Sequence, residues 1–328
     1  MTDFGPGLVT VFGGSGFVGT QVVRALAKRG WRVRAAVRKP HLAGPLRPLG
    51  DIGQIQAVRC DVTRRADVEA ALAGADAAIN LVGILFEGGG RKFQSHHVEA
   101  ARHIAELARD QGLIRLVQVS AIGAEAKSPS AYARSKGQAE EAVRKILPEA
   151  VIVRPSLIFG PGDGFLNRFA SLAATAPALP LIGGGQTRFQ PVYVGDVGEA
   201  VARALVRRDA AGRTFELGGP EVMTFEEVLR YILKETNRRR ALVPLPFGVA
   251  KAIGAVAQLT AVLGVPPQLT EDQVELLKRD NVVGDDAGTL QDLGIDPTGM
   301  EAIAPQYLWR YRPGGQFAER PGYAPAVA

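Results

Sequence analysis

The sequence predicts an α/β protein: a Rossmann-type, doubly wound parallel sheet with helices on both faces, followed by a smaller C-terminal α/β substrate-type domain. Three observations carry this. Short apolar runs alternate with helical patterns as far as Pro155. Repeated β-α units of that kind build parallel sheets. A glycine-rich turn, Gly13-Gly14-Ser15-Gly16-Phe17-Val18-Gly19, joins the first apolar run to the first helical pattern. Beyond Pro155 the rhythm loosens, with glycine and proline clustered at Gly160-Pro161-Gly162 and at Gly183-Gly184-Gly185, which reads as loops.

Taken in order, residues 8–12 read as a buried strand, and Val22, Val23, Leu26 and Ala27 then recur at helical spacing. Residues 32–37 alternate, with Val33, Ala35 and Val37 on one face. Further strands are expected at 55–58, 77–82, 116–119 and 151–154. Helices are expected at 66–72, 95–111 and 132–146. In the second half, Asp196 is expected to cap a helix running to Leu205. Thr224 with Glu227, Thr270 with Gln273 and Thr298 with Glu301 have the spacing of capping boxes. Two helices, at about 271–279 and 299–310, are expected to follow. The domain reading is 1–155 for the Rossmann unit, drawing on part of 190–220 for its core, 156–311 for the smaller domain, and 312–328 for a tail rich in proline and glycine.

Composition bounds the function. The chain has 328 residues, 46% of them hydrophobic, and a mean hydropathy of +0.05, ordinary for a soluble globular protein. An apolar strand begins by Leu8 with no basic or apolar leader before it, so no secretory signal or transit peptide is expected. The one cysteine, Cys60, excludes disulfides within the chain and a cysteine-based zinc site, and no metal is expected. Of the four histidines, His96 and His97 read as solvated helix residues. The net charge of +6 favours anionic partners. No motif supports nucleic acid. Residues 247–263 are the most hydrophobic stretch, interrupted by Lys251 and Gln258, and too short to span a bilayer. They read as a helix packed in the smaller domain or as one lying on a membrane surface or partner.

The spacing Gly13-x-x-Gly16-x-x-Gly19 follows a strand and opens a helix, the context a dinucleotide site requires. One glycine permits the tight turn, a second admits the pyrophosphate, and the third lets helix pack on strand. Main-chain N–H groups of Gly13, Gly14, Ser15, Gly16, Phe17, Val18 and Gly19 then face the anion, helped by the helix dipole. The second strand ends in Val37-Arg38-Lys39-Pro40, without the acid that binds the ribose hydroxyl in NAD sites. A guanidinium there forms forked bonds to a 2′-phosphate. Arg38, with Lys39 adding charge, therefore selects NADPH/NADP. Asp61 and Val62 after strand three, and Leu81, Val82 and Gly83 after strand four, are placed at the adenine, ribose and pyrophosphate by the rule that ligands lie at the strands' carboxyl ends.

Tyr132 and Lys136 lie one helical turn apart on one face. An ammonium beside a phenol lowers its pKa, and such a tyrosine can pass a proton beside a carbonyl. The glycine loop, Tyr132 with Lys136, and Arg154-Pro155-Ser156 after strand six resemble the short-chain dehydrogenase/reductase superfamily in its extended or atypical branch, the NAD-dependent epimerase/dehydratase-like proteins. Residues 165–170, Gln190-Pro191-Val192-Tyr193-Val194, Leu245-Pro246 and residues 290–295 are similar to the NADPH-binding accessory subunit family of respiratory complex I and its bacterial relatives.

The resemblance implies catalytic positions at Tyr132 and Lys136, with Ser120 as a further candidate. It also implies cofactor contacts from Val119, Ser120, Tyr132, Lys136, Pro155 and Ser156. It implies a tightly held NADPH with a structural or regulatory role, complex I subunits or a membrane surface as partners, and a place in the cytoplasm, peripheral on the inner face of the respiratory membrane. Active relatives place a serine or threonine after strand five, whereas the stretch here is Val119-Ser120-Ala121-Ile122-Gly123. Ser120 comes early, and Ala121 and Ile122 bring no hydroxyl. Three functions follow: an accessory or assembly subunit holding NADPH, an active NADPH-dependent oxidoreductase acting on a quinone-like or other carbonyl substrate, and an NADP-sensing regulator.

Overall fold

A computed structural model of the chain describes residues 3–113, 115–262 and 269–318. In chain order the elements of the first half are β1 (Leu8–Phe12), α1 (Phe17–Ala27), β2 (Arg32–Val37), β3 (Ile55–Arg59), α2 (Arg65–Leu72), β4 (Ala77–Asn80), α3 (Ala100–Asp110), β5 (Leu116–Val119), α4 (Ala131–Ile146) and β6 (Val151–Pro155). Then come β7 (Ile158–Phe159), α5 (Leu166–Thr175), β8 (Ala178–Ile182), β9 (Arg188–Phe189), β10 (Val192–Tyr193), α6 (Val194–Val206), β11 (Thr214–Leu217), β12 (Met223–Thr224) and α7 (Phe225–Glu235). The chain continues through β13 (Ala241–Leu245), α8 (Phe247–Val262), α9 (Glu271–Leu276), α10 (Met300–Ile303) and α11 (Pro305–Leu308).

Seven strands form one parallel sheet in the order β11-β6-β5-β4-β1-β2-β3. The order reverses between β1 and β4, which opens a crevice at their carboxyl ends. Both faces are covered, so the strands are apolar on both sides. Val9 and Val11 of β1 face a core shared with α1 and α6, while Phe12 faces one shared with α2, α3 and α4. The edge strand β11 and helix α6 come from the second half of the sequence yet belong to the first core. Helix α6 lies so close on α1 that a Cβ on Gly198 would meet the Gln21 main-chain carbon at 2.8 Å.

A third core gathers α5, α7, β8, Val274 of α9 and the α11 residues Tyr307 and Leu308, with Phe165, Phe169, Phe189 and Phe225 linked by ring contacts. The two-stranded pairs β7–β10, β9–β12 and β8–β13 brace this region. Two residues are too few to show an alternating pattern, so four of these strands, β7, β9, β10 and β12, leave no signal in the sequence. The Thr224 and Thr270 capping boxes form as their spacing predicts.

Some expectations fail for physical reasons. Asp196 does not cap α6, which starts two residues earlier from Tyr193. Its carboxylate instead accepts the Thr298 N–H at 2.7 Å and the Thr298 hydroxyl at 3.1 Å, which also removes Thr298 from its expected capping box. The helix expected over 299–310 is broken into α10 and α11, with Pro305 opening the second piece. The helix expected over 95–111 opens as a π-helical turn at Gln94–Glu99 before α3 begins. Strand β4 stops at Asn80, because the Asn80 side chain turns back to accept the Val82 N–H. In α8, Ala250 and Gly254 pack inward while Val249, Ile253 and Val256 are 49%, 47% and 68% exposed. Among the described residues no helix is long and apolar enough to cross a membrane. Leu263, and the tail from residue 319 onward, lie outside the described residues.

The α1–α6 contact sets a testable cost. Gly198→Ala gains helix propensity, but the inserted carbon meets the Gln21 Cβ at 2.7 Å and its carbonyl carbon at 2.8 Å, neither of which can move without the α1 main chain, and overpacking costs about 1–3 kcal/mol. The expected outcome is a lower melting temperature by calorimetry; an unchanged or raised value would show that the helices can separate freely.

Candidate nucleotide site

The glycine turn is built as its spacing requires. Gly13 has φ +80° and accepts the Gly16 N–H at 3.0 Å. A Cβ on Gly14 would stand 3.1 Å from Ala35, and one on Gly19 would stand 2.7 Å from the Gly14 carbonyl carbon. The turn also abuts the end of β4, since a Cβ on Gly13 would lie 3.5 Å from the Val82 nitrogen. Gly16 is the N-cap of α1 and supplies no side-chain acceptor, so no cap covers the first-turn donors. Ser15 and Gly16 are exposed, and Phe17 and Val18 are part-buried. The loop stands at the crevice between β1 and β4, but not all seven of its N–H groups are open as expected: the Gly13 N–H is taken by the Ala36 carbonyl at 3.1 Å, and the Gly16 N–H by Gly13.

Around it stand the other strand ends. Arg38 and Lys39 follow β2 and are exposed; the Lys39 carbonyl accepts the Leu42 N–H at 3.0 Å, while neither side chain has a hydrogen bond or ion pair among the described residues. Asp61 follows β3 and accepts both the N–H (3.0 Å) and the hydroxyl (2.7 Å) of Thr63. Burial alone would raise its carboxyl, but the Thr63 bonds and the nearby His96 and Arg64 hold it below the usual range. Val62 turns into the core beneath α2, so its side chain has no free face toward the crevice. At the end of β4, buried Asn80 donates to Gln118 at 2.9 Å and holds Leu81, Val82 and Gly83 in an exit turn.

Lys136 is 5% exposed, and its Nζ bonds the Val119 carbonyl at 3.3 Å. Among the described residues that leaves two of its three donors unused. A Cβ on Gly83 would come within 3.3 Å of the same Nζ, so the ammonium looks onto the β4 exit. Burial pulls Lys136 down to about 8, against the opposing pull of Glu140. The Glu140 carboxylate is itself forked onto Arg154 at 2.6 and 2.9 Å, which pins α4 to β6. Ser120, 5% exposed, has a buried hydroxyl with no partner among the described residues. A buried hydroxyl without a partner costs free energy until something bonds it.

Tyr132 departs from the expected electrostatics. Its phenol is pushed up to about 12, by burial first and by the Asp272 carboxylate second. Lys136 lies 6.0 Å from the ring centre, too far to offset both. The ring is held edge-on by His97 at 5.6 Å and Phe93 at 6.0 Å. His97 is not a solvated helix residue: it is 2% exposed. Its Nε2 accepts the Ile84 N–H at 2.9 Å, which leaves the proton on Nδ1, facing the Ser135 hydroxyl at 2.8 Å. Ser135 in turn donates to the Tyr132 carbonyl. Burial and the Lys136 charge hold His97 neutral, with its pKa near 2. The spacing of Tyr132 and Lys136 contains no hint of His97, because the contact depends on the π-helical turn.

Ser156 is drawn away from the crevice. Its hydroxyl faces the Asn281 carbonyl and carboxamide oxygens, both at 2.7 Å, and accepts the Gln190 N–H at 3.2 Å. Pro155 is buried, its carbonyl taken by the Ile122 N–H. These two residues frame the site without offering it a free side-chain group. A cavity of about 200 Å³ bounded by Phe4, Arg115, Val151 and Arg208 lies at the amino-terminal ends of β5 and β6, on the far side of the sheet from these groups.

The glycine turn, the β1–β4 crevice and the inward-facing Lys136 are the parts of one known design. The family model described as the NAD dependent epimerase/dehydratase family matches residues 9–218. The chain belongs to that family. It is a family of nicotinamide-nucleotide proteins, and the open loop donors, the unbonded Ser120 hydroxyl and the spare Lys136 donors suit such a ligand. This epimerase/dehydratase-family chain is 37% identical over 316 residues to the mitochondrial NADH dehydrogenase (ubiquinone) 1 alpha subcomplex subunit 9 of Arabidopsis thaliana, covering 94% of this chain and 79% of that protein. It is 33% identical over 248 residues to a ceramide reductase of Caulobacter vibrioides, covering 73% and 74%. The solved NADPH-dependent quinone oxidoreductase of Escherichia coli, complexed with NADPH, has the same fold, with a TM-score of 0.71 and 18% identity over 92% of this chain and 99% of that one.

The buried lysine makes a prediction about the unliganded protein. An unfolded lysine keeps its proton to 10.5, the folded one only to about 8. Between those values the unfolded state binds more protons, so stability rises with pH. The cost of burying the charge is therefore present in full below pH 8 and gone above 10.5. Lys136→Met should raise stability at pH 7 by up to about 3 kcal/mol. Denaturant titration should show that advantage shrinking from pH 8 to 10.5; an advantage independent of pH would remove Lys136 as its cause.

Proposed function

We propose that the chain is an accessory or assembly subunit of the respiratory NADH:ubiquinone oxidoreductase, complex I, that holds NADPH in a structural or regulatory role. The observation that carries this is similarity along 94% of the chain to a complex I alpha subcomplex subunit. Two features of the chain support it. Ala121 and Ile122 supply no hydroxyl where active relatives have one, and losing one such donor costs on the order of 10²–10³ in rate. Helix α8 also presents Val249, Ile253 and Val256 outward, an apolar face of the kind that partners cover. The partners proposed are complex I subunits, with the protein lying peripherally on the inner face of the respiratory membrane.

In this reading the Gly13–Gly19 main chain holds the pyrophosphate, and Arg38 with Lys39 meets the 2′-phosphate. Leu81, Val82 and Gly83 line the adenine ribose, Asp61 and the Val62 main chain lie toward the adenine, and Lys136 bonds the nicotinamide ribose. Val119, Ser120, Tyr132 and Pro155 surround the nicotinamide. Bound NADPH would supply a reducing equivalent; the residues around it bind and orient. A second reading, an active NADPH-dependent reductase on a quinone-like or other carbonyl substrate, is favoured by Tyr132 and Lys136 on one helix face and by the likeness to a reductase.

Two measurements test these assignments. Arg38→Asp should weaken NADPH on the order of 10–100-fold while changing NADH little, because a charge-assisted bond is lost and a repulsion gained. Equal weakening of both nucleotides would show that Arg38 is not the selector. Isolation from detergent-solubilised membranes should recover the chain with complex I subunits and bound NADPH. Recovery as a free monomer, together with oxidation of NADPH by a panel of quinones and carbonyls that Tyr132→Phe abolishes, would replace the subunit reading with the reductase one.

A further inference from the structure

The first turn of α4 carries Tyr132, and its main-chain donors have no acceptor within the helix. Ser130, the N-cap, accepts only the Ala133 N–H, at 3.2 Å. The other two donors are met from 140 residues away. Asp272 accepts the Ala131 N–H on Oδ1 at 2.6 Å, and the Tyr132 N–H on Oδ2 at 3.1 Å. The same Oδ2 accepts the Ser130 hydroxyl at 3.0 Å. A carboxylate at a helix N-terminus is further favoured by the helix dipole.

Asp272 is well held. Helix α9 is opened by the reciprocal Thr270–Gln273 box, and Thr270 is 1% exposed. Gly254 of α8 lies against it, so that a Cβ there would be 2.9 Å from the Glu271 nitrogen, and Lys251 pairs with Glu271 at 2.9 Å. Two further links join this stretch to the strand ends of the nucleotide half. Arg279 pairs with Glu125 at 2.7 Å, and Asn281 donates to the Ile122 carbonyl at 3.3 Å. The groups facing the Tyr132 ring and first turn are therefore Lys136 from α4, neutral His97 and Phe93 from the preceding turn, and Asp272 from α9.

We propose that Asp272 is the positioning residue for the nicotinamide end of the site: delivered by α9, its carboxylate caps α4 from outside and fixes where Tyr132 stands. This rests on the nucleotide reading above. Asp272 touches neither half of the nucleotide in that reading and acts through the α4 main chain. It gives the C-terminal part of the chain a hold on one half of the ligand only. The adenosine half, gathered by α1 and the β2 and β3 ends, is out of its reach.

The test compares Asp272→Asn and Asp272→Ala with Glu271→Gln, which removes the neighbouring ion pair and leaves the cap. In the unliganded protein, amide exchange at Ala131 and Tyr132 should quicken roughly tenfold or more in Asp272→Ala. It should quicken less in Asp272→Asn, which keeps one oxygen, and not at all in Glu271→Gln. The Tyr132 phenol, read as the tyrosinate absorbance that Tyr132→Phe removes, should ionise at lower pH in Asp272→Asn. NADPH should bind about tenfold more weakly to Asp272→Ala, while 2′,5′-ADP, which presents only the adenosine half, stays within about twofold.

Unchanged exchange and an unchanged phenol titration would overturn the proposal. Equal loss for both ligands would overturn it too, by showing a general structural role. Should the unaltered protein bind neither ligand, the nucleotide reading fails, and the exchange and titration results still decide whether Asp272 positions Tyr132.

Discussion

A helix cannot bond its own first-turn amides, and the two halves of this site differ in what meets them. At α1 the glycine turn provides no side-chain acceptor, so those donors face the crevice between β1 and β4. At α4 the equivalent donors are already occupied by Ser130 and by Asp272 from the far end of the chain. One helix start is left open to an anion, and the other is closed by a carboxylate of the protein itself. The anion end thus belongs to the first half of the chain, and the Tyr132 end is completed by the second.

The electrostatics at the Tyr132 end follow from burial more than from pairing. Lys136, His97 and Tyr132 each shift toward the neutral form, and in each case removal from water is the leading cause. A histidine that stays uncharged and a phenol that stays protonated leave this end with the Lys136 ammonium, which keeps its proton up to about 8, and the Asp272 carboxylate as its charges. The unpartnered Ser120 hydroxyl marks where polar capacity remains.

Much of the nucleotide half was legible because its signals are local. The glycine spacing dictates a turn whatever surrounds it; a Cβ on Gly19 would collide with main chain, and one on Gly14 would crowd the Ala35 side chain at 3.1 Å. Val33, Ala35 and Val37 recur at every second residue because they share the face of β2 that packs in the core with α1. The capping boxes at Thr224 and Thr270 likewise involve residues three apart. The third such pattern, at Thr298, failed because Asp196, distant in sequence, competes for the same groups. Local spacing shows that a cap can form; it does not show what else can reach it.

The sequence by itself determined the parallel sheet, the open glycine loop, the absence of an acid beside Arg38, and the shared face of Tyr132 and Lys136. Each rests on contacts between near neighbours, which the backbone period settles. Only the tertiary structure decided that His97 is buried and neutral, that Ser156 is turned toward Asn281, that the Tyr132 phenol is raised and not lowered, and that Asp272 closes α4. Those outcomes turn on desolvation and on partners up to 140 residues away. Neither has a period that a sequence can display, because both depend on which surfaces meet once the chain has folded.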